Sequence, residues 1–141
     1  MISMRSLKIF LASYPLFVLI DFMWFGFIIS TCYHAHIGHL MRADDGLNVS
    51  MFAALLAALA LIVMGAVIFV VPLVERASYQ VSFLWGALYG LCIYGGYSLS
   101  NYAYFRGWPL FITALDTAWG IIAGGLLGVF ISYLSKKVFS R

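Results

Sequence analysis

Two acids stand in this sequence where acids are expensive. Asp116 is the sole charged residue between Trp108 and Lys136, inside the last long apolar run. Asp21 lies in the first such run, and each acid is followed three residues later by a tryptophan, Trp24 and Trp119. A carboxylate in the hydrocarbon of a bilayer costs about 2.5–3.5 kcal/mol on insertion scales, so it calls for a partner, a proton or a water-filled recess. Residues of this kind mark binding sites and proton relays, although buried polar networks also rigidify bundles. If the two carboxyls meet, like charge lets them share one proton.

The elements that carry them follow from composition. The 141 residues are 65% hydrophobic and only 9% charged, against about 25% charged in a soluble domain. This is the composition of a membrane protein, and the length leaves room for one domain, residues 1–141. Four apolar runs, about 7–30, 51–74, 81–104 and 109–134, are each long enough to cross a bilayer that needs about 20 helical residues. The expected fold is an all-α integral membrane four-helix bundle. The N-terminal run resembles a signal peptide but continues without a small-x-small cleavage site, so it is read as a retained span. A long polar connection is expected from Thr31 to Ser50, and short turns elsewhere make neighbouring helices antiparallel.

Orientation follows from the basic residues. With both termini in the cytoplasm, Arg5, Lys8, Arg76, Lys136, Lys137 and Arg141 lie inside, and only Arg42 and Arg106 lie outside. The net charge of +3 therefore speaks of membrane topology; no basic stripe with interleaved aromatics suggests nucleic acid. Cys32 at a surface and Cys92 at mid-span are too different in depth to pair.

This topology places Asp21 and Asp116 at about the same level, roughly 10–14 Å in from the outer surface at 1.5 Å per helical residue. Tyr94, Tyr97, Ser98 and Asn101 of the third run fall in the same half. Gly120, Gly124 and Gly128 share the face of Asp116, and Gly86 and Gly90 share that of Tyr94, Tyr97 and Asn101. Small residues at four-residue spacing let helix backbones approach. The third and fourth helices should pack through glycine toward the cytoplasm and splay around Asp21, Trp24, Tyr94, Tyr97, Asn101, Asp116 and Trp119 toward the outside. The same glycines would also suit a homodimer. Trp24 and Trp119 are expected on opposite sides of the acid level, with Trp85 and Trp108 as interface anchors.

His34, His36 and His39 offer three imidazoles that zinc or copper could use, with Asp44 and Asp45 to complete a set. The cluster has no cysteine and no standard spacing, so a solvated loop or pH-sensitive lid is the reading, and no metal is expected. No phosphate loop, nucleophile elbow or His-Glu-x-x-His occurs. No cofactor or reaction is indicated by any motif.

With these residues in view, the chain resembles a family of small bacterial predicted membrane proteins of unknown function. The likeness rests on Asp21, Trp24 and Tyr33, then Tyr94, Tyr97, Asn101 and Trp108, then Asp116, Trp119 and Gly120. Ser98 and Ser100 stand where that pattern would place an acid and a threonine, which removes one carboxylate from the expected pocket. The resemblance implies four helices, one domain and no assigned activity; the bacterial inner membrane is the expected location. Three functional readings remain: a polar outer-leaflet pocket for a small or amphiphilic molecule, a proton-coupled exporter, and a structural subunit.

Overall fold

The computed structural model describes residues 3–42 and 48–139. Asp44, Asp45 and Arg141 lie outside the described residues. All regular structure among those described is helical: α1 (Met4–Ile28), α2 (Ser30–Ile37), α3 (Val49–Val74), α4 (residues 79–104) and α5 (Leu110–Val138). The starts are written locally. Ser3, Asn48 and Ser78 cap α1, α3 and α4, their side-chain oxygens accepting from the backbone N–H of Ser6, Met51 and Val81, which satisfies donors that have no partner within the helix. Between α4 and α5 the chain turns at Gly107, whose φ of 91° suits a residue without Cβ.

Among the described residues three helices, α1, α3 and α5, are long and apolar enough to cross a membrane. The fourth expected span, residues 81–104, does not meet that measure. Residues 79–104 form a helix of comparable length, but their tyrosines, glycines and Asn101 dilute its apolarity. Outward-facing side chains such as Leu11, Leu19, Phe69, Leu84 and Leu99 are more than half exposed, the surface of a protein whose solvent is lipid.

α5 is the hub, packing on α1, α3 and α4. The core joins Ile9 and Phe17 of α1, Leu59, Val63 and Val70 of α3, and Trp119, Leu127 and Ile131 of α5. On α1 the buried residues Ile9, Ser13, Phe17 and Asp21 recur every fourth position, one stripe of an α-helix.

Wide π turns interrupt the helices at Trp24–Ile28, Ala66–Val70, Leu91–Gly95 and Leu134–Val138. At the first, the Ile29 N–H donates to the Trp24 carbonyl, five residues back, at 2.9 Å. Each such turn adds a residue and shifts the phase of every side chain beyond it.

The expected polar loop after the first span is also corrected. Residues 30–37 form α2, whose Tyr33 and Ile37, four apart, are buried against Ile112 with Phe25, Ile29, Trp108 and Leu115 around them. An amphipathic turn hidden among histidines thus covers the start of α5.

Candidate functional site

Asp21 occupies the last position of the buried stripe on α1 and is 6% exposed. Its Oδ1 accepts two hydrogen bonds, from the Tyr94 hydroxyl at 3.0 Å and from the Trp119 indole N–H at 3.2 Å. Asp116, 4% exposed, accepts from the Ser98 hydroxyl at 2.8 Å through Oδ2. Its Oδ1 is buried with no partner among the described residues. Tyr94 and Ser98 lie four residues apart on α4, so one helix face supplies a donor to each acid, about one turn or 6 Å of rise apart.

The repeated acid-x-x-Trp spacing acquires a physical meaning here. Asp21 and Trp24 share a face of α1 and grip one residue of α5: the Trp119 N–H goes to Asp21, and its ring stacks on Trp24 with centroids 4.3 Å apart and planes 2° from parallel. The expectation that the two tryptophans lie on opposite sides of the acid level is therefore corrected. Trp24 begins a wide turn. Trp119 in turn lies one turn beyond Asp116, so a single face of α5 serves both acids.

Glycine brings α4 close enough for this. A Cβ on Gly90 would collide with the Gly120 carbonyl oxygen, one on Gly86 with that of Gly124, one on Gly124 with that of Gly86, and one on Gly128 with that of Ser82. A Cβ on Gly120 would strike the Cβ of Tyr94, so that glycine opens the space from which Tyr94 reaches Asp21. The seam is consumed within one chain, which leaves little of it to face a second copy.

Of the proposed pocket wall, Tyr94 is half-buried and Asn101 is 9% exposed, but Tyr97 is 60% exposed. Tyr97 stands edge-on to Trp108, centroids 6.5 Å apart, and not beside the acids. The reason is the wide turn at Leu91–Gly95. Buried positions on α4 step by four through Ser82, Gly86 and Gly90, by five to Gly95, then by three to Ser98 and Asn101. The five-residue step carries Tyr97 out and Ser98, fully buried, in. Ser98 is the site residue that spacing alone missed; its four-residue offset from Tyr94 was the available signal.

Three further polar groups at this end are buried without partners among the described residues: the indole N–H groups of Trp24 and Trp108 and the hydroxyl of Tyr33. Trp108 is thus more than an interface anchor, since it packs on the cluster of Tyr33, Ile37 and Ile112. The histidines do not converge. His34, His36 and His39 are exposed, and the His36 Nδ1 lies 2.9 Å from the Cys32 carbonyl with its ring beside Phe111. No group of three possible metal ligands occurs among the described residues. Cys32 and Cys92 are unpaired.

A family model covers residues 6–133, taking in both acids, both tryptophans and the glycine seam. The chain belongs to this family, Predicted membrane protein (DUF2177). No curated protein and no solved structure matches it. Membership makes the chain a membrane protein with several apolar helices and assigns no activity to DUF2177 proteins.

Proposed function

We propose that this DUF2177 protein is a single-domain, four-span protein of the bacterial inner membrane, both termini cytoplasmic, whose outer half holds the polar head of a small amphiphilic molecule. On this reading residues 79–104 cross the bilayer because their polar face turns to α5 and their apolar residues to lipid. The excess of basic residues at the end bearing Arg5, Lys8, Arg76, Lys136 and Lys137 supports the orientation.

The observation that carries the proposal is the unpartnered Oδ1 of Asp116, at an end that also holds three unpaired donors, on Trp24, Tyr33 and Trp108. Burying a polar atom without a partner costs about 1–3 kcal/mol in proteins. Four such atoms at one end of so small a bundle are better explained by a ligand than by a strut. A headgroup with a hydroxyl or amine to give Asp116 and oxygens to take the indole and phenol protons would satisfy the set. Asp21, held through Oδ1 by Tyr94 and Trp119, positions those two side chains. The lipid bilayer is the expected source of the molecule; no nucleic acid, metal or cofactor enters the proposal, and no reaction is assigned.

Native mass spectrometry of the intact protein in mild detergent tests it. The wild type should carry a reproducible small-molecule adduct that Asp116→Asn loses while keeping its helical circular dichroism. Equal adducts in both, or none in either, would overturn the proposal. The exporter reading draws on the acid in the first helix and would require substrate-driven proton flux in proteoliposomes, abolished by Asp21→Asn. Its difficulty is the glycine seam, which holds α4 and α5 closed below the acids. A purely structural role would show as loss of assembly in both variants.

A further inference from the structure

The opposite end of the bundle contains a cavity that has no part in the acid network. It measures about 460 Å³ and lies between the start of α1 and the end of α3. That volume falls within the range of small-molecule sites, about 300–1,000 Å³. Its walls are graded. Ser3, Arg5, Ser6 and Glu75 stand at one end, and Phe10, Met64, Val67 and Ile68 at the other. Along α3 the lining runs from Glu75 to Met64, about 16 Å at 1.5 Å per residue. That is close to half of a hydrocarbon core about 30 Å thick, the depth of one leaflet.

We infer that this cavity is a binding site for one chain of an anionic glycerophospholipid, its headgroup held at the first turn of α1. A polar mouth above an apolar slot one leaflet deep matches an amphiphile and not a free phosphate or a soluble metabolite. The charge around the mouth sets the sign of the head. Arg5 lines it, exposed Lys8 and Arg76 stand within a turn of it, and Glu75 is the one acid at that end among the described residues, held by Arg5 at 2.8 Å. Basic groups at a membrane surface attract anionic lipid. The Ser3 and Ser6 hydroxyls, 3.0 Å apart, stand where the phosphate would lie, at the positive end of the α1 dipole.

The test is native mass spectrometry of the full-length protein titrated with dioleoyl phosphatidylglycerol or dioleoyl phosphatidylcholine in mixed micelles. The wild type should bind the phosphatidylglycerol at least tenfold more tightly. Ile68→Trp, which fills the slot from a partly exposed position, should lower that affinity at least tenfold. Ser6→Asp, which leaves the slot open and puts a negative charge at the mouth, should abolish the preference between the two lipids, and it keeps the test decisive if Ile68→Trp does not fold. Equal binding of both lipids by the wild type would overturn the inference, as would undiminished phosphatidylglycerol binding by a folded Ile68→Trp or an unchanged preference in Ser6→Asp. None of these readings involves Asp116, so the site at the acid end stands or falls separately.

Discussion

At the basic end of the bundle Arg5 donates to Glu75 at 2.8 Å, to the Phe139 carbonyl at 2.7 Å and to the Ser135 carbonyl at 2.9 Å, while Lys136 reaches the Ala77 carbonyl and lies over the Tyr79 ring. At the acid end Asp21 is held by an indole and a phenol, and Asp116 by a single serine hydroxyl. One end ties α1, α3 and α5 together with long flexible cations and backbone carbonyls near water. The other ties α1, α4 and α5 with short acids and rigid aromatic donors. The first arrangement is what a latch needs, since each group has several partners. The second leaves Asp116 Oδ1 and three aromatic donors over, against the Ser135 hydroxyl at the first and the Ser13 hydroxyl on α1.

The largest effect should come from breaking what holds the acid end in register. Tyr94 and Ser98 reach their acids because α4 lies backbone to backbone on α5. Gly90→Ala places a methyl against the Gly120 carbonyl oxygen, and backbone cannot swing aside as a side chain can. A loss of about 3 kcal/mol or more is expected, at the upper end of overpacking effects, read as a lowered midpoint of thermal or denaturant unfolding in detergent. Gly96, farther along α4, is exposed, and a methyl added there would meet nothing within 4 Å. Gly96→Ala should raise stability by about 0.5–1 kcal/mol, the ordinary helical advantage of alanine. If the two substitutions behave alike, the seam is not what organises the site.

A smaller loss is expected on removing the indole donor. Trp119→Phe keeps a ring to stack on Trp24 but takes away the 3.2 Å hydrogen bond to Asp21, leaving that carboxyl with Tyr94 alone. The cost should be about 1–3 kcal/mol, the range for a buried acceptor that loses a partner. Trp85→Phe, at a position 40% exposed, should change the unfolding midpoint little. A neutral Trp119→Phe would mean that stacking, and not the acid, fixes α5 against α1, and the contrast between the two ends would lose its basis.

Much of this arrangement is legible in the sequence, for identifiable reasons. Apolar runs bounded by charge place α1, α3, α4 and α5 to within a few residues, because a bilayer imposes length and hydropathy together. The glycines at four-residue spacing announce a close helix pair, since nothing else repeats small residues so regularly. Depth counting expects both acids at one level; in the structure one face of α4 serves both, through Tyr94 and Ser98 one turn apart. What counting does not supply is azimuth beyond a wide turn. Helical spacing assumes 3.6 residues per turn, and the turns at Trp24–Ile28 and Leu91–Gly95 break that assumption beyond Trp24 and just before Tyr97. α2 is hidden for another reason: three histidines make its polar face look like a loop, although Tyr33 and Ile37 carry a helical spacing. Residues 79–104 look more apolar than they are because tyrosine counts as aromatic while its hydroxyl is polar.

The smallest expected effect isolates that phase shift. By uninterrupted spacing, Tyr94 and Tyr97 are equivalent members of one face; in the structure only Tyr94 donates to Asp21, while Tyr97 is largely exposed and meets Trp108 edge-on. Tyr94→Phe removes one of two donors to a buried carboxyl and should cost about 1 kcal/mol, the usual net value of a hydrogen bond. Tyr97→Phe removes a hydroxyl that the site does not use and should cost close to nothing. Unfolding midpoints of the two variants, each made alone and with Trp119→Phe, give the coupling directly. Tyr94→Phe should be non-additive with Trp119→Phe, since both donors serve the same oxygen of Asp21, whereas Tyr97→Phe should add. The opposite pattern would put Tyr97 on the acid face and remove the wide turn at Leu91–Gly95 as the device that selects Ser98 for Asp116.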